Sequence, residues 1–219
     1  MRLSFTLTLS TAVLMAAVCL LAQEQSAPSA SETRGMPARA TPTDYQAHAE
    51  AGKVTIGAEF FQHTVPTQPV LTTEDYVMVE AGVFGPPGAR ATVSPLDFSL
   101  RINGKKSPTP SEPYALVFKS LKDPEWEPPI PVEEKKSKTG INTGGKGGGD
   151  NLPPVIHVPI KTQREWEARA TKAAFPEGDR ALPQAGLLFF RYNGKASKIS
   201  SLELIYSGPE GKASLTLNP

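Results

Sequence analysis

The sequence predicts an all-β domain in which about seven short strands form an antiparallel β-sandwich, with one inserted α-helix and a Gly/Pro-rich loop. Short segments with alternating apolar and polar residues recur along the chain, and this is the period of half-buried strands. Asn-Gly pairs follow two of them, at 103–104 and 193–194, and mark turns. A two-sheet sandwich is the arrangement that buries many single-faced strands.

The first residues have the pattern of a secretory signal peptide. An early basic residue precedes an apolar run that ends at Ala22, and polar sequence begins at Gln23. The pattern predicts a signal peptide over residues 1–22, cleaved between these two residues. The run is short for a membrane span, so we expect no stable membrane insertion after cleavage. Lipid anchoring through Cys19 is disfavoured because Val18 replaces a small residue; the protein is expected to be periplasmic or secreted.

The composition after cleavage excludes several kinds of function. The remaining chain has 22 basic and 22 acidic residues, so its charge gives no reason to expect nucleic-acid binding. Removal of the only cysteine leaves neither a disulfide nor a thiol nucleophile. Residues 23–43 are rich in Ser, Ala, Thr and Pro without apolar periodicity, and they are expected to form a disordered tether. A single folded domain is expected over 44–219.

The first half of this domain contains three clear strand patterns. In "KVTIGAEFF" and "DYVMVEAGVFG" every second residue is apolar, which places these apolar residues on one face of the strand. "LDFSLRING" does the same, with Leu96, Phe98, Leu100 and Ile102 expected to point inward. "YALVFKS" is a shorter fourth candidate strand.

The C-terminal third predicts three more strands and follows the only helical pattern. "AGLLFFRY" is almost wholly apolar, as a central strand covered on both faces would be, and "ISSLELIY" and "KASLTL" alternate. Their close spacing predicts an antiparallel meander. The helix is expected over about 162–175, with Thr162 and Glu165 as a capping box. Its apolar stripe is expected to contain Trp166, Ala170, Ala173 and Ala174.

The segment "TGINTGGKGGGD", residues 139–150, has the glycine and lysine spacing of a phosphate-binding loop. Such a loop must leave a buried strand and enter a helix. Here charged residues precede it, prolines follow it, and Gly147 stands where a magnesium-binding hydroxyl is needed. We therefore expect no nucleotide and no cofactor, and interpret about 133–154 as a flexible insertion.

Other catalytic patterns are weak. His48, His63 and His157 have no second ligand at a metal-binding spacing, so no metal site is expected. No G-x-S-x-G motif is present, and no catalytic residue is assigned. In "DPEWEP", residues 123–128, acidic residues flank Trp126 in a proline-stiffened segment. Trp126 is interpreted either as a plug that fixes this loop to the domain or as an exposed contact for a protein or glycan.

Two long segments resemble a known family. "DYVMVEAGVFGPPGARATVSPLDFSLRINGKK" and "GLLFFRYNGKASKISSLELIYSGPEGKASLTL" are similar to immunoglobulin-like, telokin-type domains of exported bacterial proteins. "SLKDPEWEPP" followed by the glycine-rich loop resembles a set of secreted bacterial proteins of uncharacterised function. The resemblance covers roughly 44–219 and implies an immunoglobulin-like sandwich. Its motifs are structural, and the long insertion over 119–182 departs from the pattern.

Together these observations predict an exported, non-enzymatic module that binds or scaffolds an unknown protein or glycan of the cell envelope. The alternative is a hydrolase that acts on an envelope glycan or peptide through the acidic residues near Trp126. The two differ in whether polar groups converge in a pocket.

Overall fold

A computed structural model of the chain describes residues 34–128 and 157–219. The described part is mostly antiparallel β-sheet with one α-helix, which confirms the all-β class. The predicted signal peptide with its Ala22–Gln23 cleavage site, Cys19 and the insertion of about 133–154 lie outside the described residues.

The described residues contain thirteen strands, several of them very short, rather than about seven. Their bounds are β1 Ala47–Ala51, β2 Val54–Phe60, β3 Thr64–Val65, β4 Leu71–Thr73, β5 Tyr76–Phe84, β6 Arg90–Val93, β7 Phe98–Ile102, β8 Thr109–Glu112, β9 Leu121–Lys122, β10 Gly178–Ala181, β11 Gln184–Arg191, β12 Leu202–Gly208 and β13 Gly211–Leu217. Helix α1 spans Ile160–Ala173.

Eight strands form one continuous sheet rather than the two sheets of the expected sandwich. Its order is β1-β2-β5-β11-β8-β7-β12-β13. The two end strands lie side by side, which makes the sheet an almost closed barrel. At one end of the contact between β1 and β13, the Gln46 side chain donates to the carbonyl oxygen of Asn218 at 3.1 Å. At the other end Gly52 lies against the carbonyl oxygen of Glu210. Rolling the sheet buries the inner faces of all eight strands within one layer.

The barrel interior is filled by the alternating apolar residues that the sequence pattern identified. On β5 the inward residues are Val77, Val79, Ala81 and Val83, and the other strands contribute in the same way. The largest fully buried inward side chains are Ile56, Phe98, Leu100, Leu188, Phe190, Leu202, Leu204 and Leu217. The interior is therefore a packed core that holds the barrel together, not a ligand chamber.

A second apolar cluster covers the outer face of β5 and β11. Its sheet residues include Met78, Leu187 and Phe189, and the residues packed on them come from α1 and the segment 114–126. Helix residues Trp166 and Ala170 belong to it, as the predicted apolar stripe requires. Because β5 and β11 are covered on both faces, nearly all of their residues are buried and most are apolar, with Glu80 of β5 the buried charged exception.

Two predictions about strands in this region were wrong. "YALVFKS" forms two 3₁₀ turns, Tyr114–Leu116 and Phe118–Ser120, and not a strand. The three C-terminal strands do not form a meander, because β11 pairs with β5 and β8 while β12 pairs with β7 and β13. Turn residues show where the chain reverses but not which strand it joins.

The helix and one inward residue also differ from expectation. The helix begins at Ile160 and ends at Ala173 rather than spanning about 162–175, and Pro159 is its N-cap. The predicted capping box at Thr162 therefore lies inside the helix. Leu96, expected to point inward, is 65% exposed because it lies in a 3₁₀ turn before β7 begins.

Residues 34–45, which we call the N-terminal strap, lie on the outer face of the barrel. The Gly35 amide donates to the carbonyl oxygen of Lys172 at 3.0 Å, and Met36 forms a bridge with Ala185. The tether prediction extended to residue 43, but the chain is folded onto the barrel from Gly35 onward.

Candidate functional site

Trp126 lies at the end of a turn beside helix α1. The Trp126 amide donates to the carbonyl oxygen of Asp123 at 3.1 Å, and the Asp123 carboxylate accepts from the Glu125 amide at 3.0 Å. Aspartate followed by proline is typical of such turns. The turn brings the half-buried Trp126 indole against Trp166, with ring centroids 6.3 Å apart and planes at 86°. This edge-to-face arrangement is favoured for aromatic pairs.

The helix fixes the second indole more firmly than the first. Trp166 is only 5% exposed and packs among residues of the outer cluster. Gln163 lies one turn before Trp166 in the helix, and its side-chain amide donates to the carbonyl oxygen of Val158 at 3.1 Å. One indole therefore forms a fixed wall, while Trp126 stands on a loop with part of its surface open to solvent.

The two indoles line a cleft of about 600 Å³ between the helix and the segment 118–126. This size lies within the range of about 300–1,000 Å³ that is usual for small-molecule sites. Its lining combines apolar side chains with charged and amide groups: Phe118, Lys119, Leu121, Lys122, Asp123, Trp126, Val158, Gln163, Trp166 and Glu167. The chain contains two tryptophans, and both lie in this cleft.

The charged groups at the cleft edge are of both signs. Lys119 and Lys122 are the cations, and Asp123 and Glu167 are the anions. Lys122 also forms an exposed ion pair with Glu74 at 2.7 Å. The hydrogen bond and positive charge of Lys122 lower the pKa of the Glu74 carboxyl.

The acidic residues around Trp126 do not converge on one point. Asp123 lines the cleft, whereas Glu125 and Glu127 are exposed and lie outside its lining. The second carboxylate in the cleft is Glu167, which comes from the helix and was not part of the sequence hypothesis. The available signal was that Glu167 lies one turn before the apolar position Ala170 on the predicted helix.

The three histidines lie in separate places. His48 is on β1, and His157 lies three residues before the start of the helix. The ring nitrogens of His63 lie 2.7 Å from the carbonyl oxygen of Tyr76 and 2.9 Å from that of Gly194. Within the described ranges, no three His, Cys, Asp or Glu side chains are grouped as metal ligands would be.

Sequence reasoning missed a polar cluster beneath the N-terminal strap. Arg39 donates to the buried carboxylate of Glu80 at 3.0 Å and forms a second ion pair with Glu59. The Arg39 guanidinium also lies 4.4 Å from the ring centroid of Tyr45. A glutamate inside the apolar run "VMVEAGVF" was the signal, since a buried carboxylate needs a partner.

The strap fits closely because two glycines lie under its aromatic residue. Gly57 and Gly82 are directly opposite each other on β2 and β5. A Cβ atom on either would lie 2.6 Å from an atom of Tyr45. Burial, assisted by the negative charge of Glu80, raises the pKa of the Tyr45 phenol to about 12. This cluster holds the strap in place.

Comparison with known protein families, curated proteins and solved structures finds no match for this chain. None of the helices in the described ranges has both the length and the apolar character needed to span a bilayer.

Proposed function

We propose that the protein is an exported, non-enzymatic module that binds or scaffolds a component of the cell envelope, and that Trp126 in the cleft is its principal contact. One observation carries the proposal: both tryptophans of the chain line one surface cleft, and one of them is partly exposed. An indole held on a proline-stiffened turn loses little conformational entropy on binding, which is why such residues often dominate binding energy.

The filled barrel interior supports this choice of site. Barrels that hold small ligands do so in their interior, but here that space is occupied by side chains. The outer layer is where the chain forms a concave surface with apolar and polar groups together. We also propose the relationship to immunoglobulin-like domains that the sequence suggests. The choice of the cleft as the binding site does not depend on it.

The binding site can be tested by photocrosslinking in intact cells. A benzoylphenylalanine in place of Gln163, exposed at the cleft, reacts with C–H bonds of a bound protein or glycan. We expect adducts from this position and none from Thr216, an exposed control residue on β13. Adding Trp126→Ala should abolish the adducts while the protein stays folded, because the lost aromatic pair contributes about 0.5–1.5 kcal/mol beyond the apolar area that the half-buried indole covers. Adducts that persist in this variant would refute the role of Trp126.

Export is tested separately by the intact mass of the protein recovered from cells. Cleavage after Ala22 gives a chain that begins at Gln23. A mass that retains residues 1–22, or a lipid on Cys19, contradicts a released module.

A further inference from the structure

We infer that the cleft binds an uncharged, hydroxyl-rich ligand, namely a short neutral oligosaccharide. This inference rests on the binding role proposed for the same cleft and names the chemistry of its ligand.

The charge of the cleft favours a neutral ligand. Among the described residues, two lysines and two carboxylates line it, so their formal charges cancel. An anionic ligand would meet Asp123 and Glu167, and a cationic ligand would meet Lys119 and Lys122. Neither sign gains an overall electrostatic advantage.

The hydrogen-bonding groups favour hydroxyls. Lysine ammonium groups only donate, ionised carboxylates only accept, and the Gln163 amide does both. A hydroxyl group donates and accepts, so a ligand that carries several can satisfy both kinds of residue. A purely apolar ligand would remove the water that is hydrogen-bonded to these groups and would offer no hydrogen bonds in its place, which is costly.

The apolar surface favours rings with a flat C–H face. The indoles of Trp126 and Trp166 lie perpendicular to each other, and Trp166 is only 5% exposed, so the half-buried Trp126 supplies most of the aromatic surface that is open to a ligand. A sugar ring presents C–H groups on its faces and hydroxyls at its edge. A face would contact the Trp126 indole while the hydroxyls reach the polar side chains that line the cleft.

An extended peptide fits less well. Peptides that bind by strand addition need a long unpaired strand edge. The strand in the cleft is β9, which ends its three-stranded sheet but contains only Leu121 and Lys122. Two residues offer too short a ladder for this mode of binding.

The test uses the two tryptophans as reporters, since both line the cleft. Neutral and acidic glycans are screened on an array, and neutral hits are titrated by tryptophan fluorescence, beside a proline-rich peptide. We expect a saturable response to at least one neutral glycan, with an affinity nearly independent of salt. Trp126→Ala should weaken it at least about tenfold. Leu96→Ala, which removes an exposed apolar side chain outside the cleft, should not change it.

Each result separates this inference from the proposed function. Failure of every neutral glycan, preference for acidic glycans, or binding of the peptide alone overturns the inference, and the crosslinking result then decides whether the binding module stands. A neutral glycan that binds and is recovered intact by mass spectrometry supports both. A neutral glycan that binds and is cleaved supports the inference but overturns the non-enzymatic function in favour of a hydrolase.

Discussion

The two faces of strand β11 serve different regions of the molecule. Phe190 points into the barrel interior and Phe189 points into the outer cluster, and both are almost completely buried. The interior is made by regular strands from all sides. The outer cluster is made by a helix, short turns and two-residue strands.

This difference separates the region that holds the fold together from the region where recognition is proposed. The interior is closed and apolar, so it leaves no surface for a partner. The outer layer is assembled from irregular pieces that do not meet everywhere, and the cleft lies where the helix and the segment 118–126 remain apart. The same layer contains the buried Glu80 carboxylate and its Arg39 partner. Polar and concave features are therefore concentrated on one side of the central strands.

The largest predicted effect comes from Phe190→Ala. Truncation of a buried phenylalanine costs about 3–5 kcal/mol, and the closed interior cannot collapse to fill the space. Phe189→Ala is expected near the lower end, about 3 kcal/mol, because the outer layer can adjust toward the cleft. Urea denaturation measures both changes in the free energy of unfolding.

Hydrogen exchange then tests whether the two regions are separate. Phe190→Ala should increase exchange throughout the barrel strands, whereas Phe189→Ala should increase it first in helix α1. The same exchange pattern in both variants would show that the interior and the outer layer form one cooperative unit.

The next prediction concerns the ion pairs of the strap. Arg39→Ala should lower the free energy of unfolding by about 1–3 kcal/mol, because it leaves the buried Glu80 carboxylate without its partner. Arg90→Ala is the matched control, since its ion pair with Asp179 is exposed and such pairs contribute about 0–1 kcal/mol. Equal effects of the two substitutions would mean that Glu80 finds another partner or water.

Alkaline pH should weaken the outer layer through Tyr45. The pKa of its phenol is about 12 in the folded protein, above the ordinary value of 10.0. The neutral form is favoured by folding, so this contribution is complete below pH 10 and is lost as the pH rises toward about 12. Urea midpoints should fall over this range, and less steeply in Tyr45→Phe. Burial also raises the pKa of Tyr76 and Tyr206, so some slope should remain. An unchanged slope in the variant would contradict the prediction.

The smallest predicted effect is inside the barrel. Ser111 is opposite Phe190 in the sheet, and its buried hydroxyl has no hydrogen-bond partner among the described residues. Ser111→Ala should therefore change the free energy of unfolding by less than about 1 kcal/mol. Thr73→Val is the control in the outer layer, where the hydroxyl lies 2.6 Å from that of Ser120, and it should cost more. A larger loss for Ser111→Ala would reveal a bonded hydroxyl.

The sequence predicted the interior better than the outer layer for a physical reason. Alternation along β5, β7, β12 and β13 reflects a simple two-sided environment, so the inward residues could be read directly. Pairing between distant strands leaves no local pattern, and the sheet was consequently expected as two sheets rather than one barrel.

The outer layer depends on contacts that a local reading does not contain. "YALVFKS" has the composition of a strand but forms 3₁₀ turns under the helix. Trp126 was recognised as a candidate contact, yet its neighbour Trp166 was assigned only to the helix stripe. Residues 34–43 of the strap were included in the predicted disordered tether because their composition shows no apolar periodicity. The contacts that hold them, such as that of Arg39 with Glu80, join residues far apart in sequence.

The pairing of β5 with β11 has a consequence for the order of events during synthesis. Roughly 100 residues separate these two central strands, and contacts over such distances form slowly. The first half of the chain is synthesised before β11, the strand that pairs with β5. We therefore expect the barrel to form only after most of the chain has been made. Such a delay would suit a chain that is threaded unfolded across a membrane, as the proposed export requires.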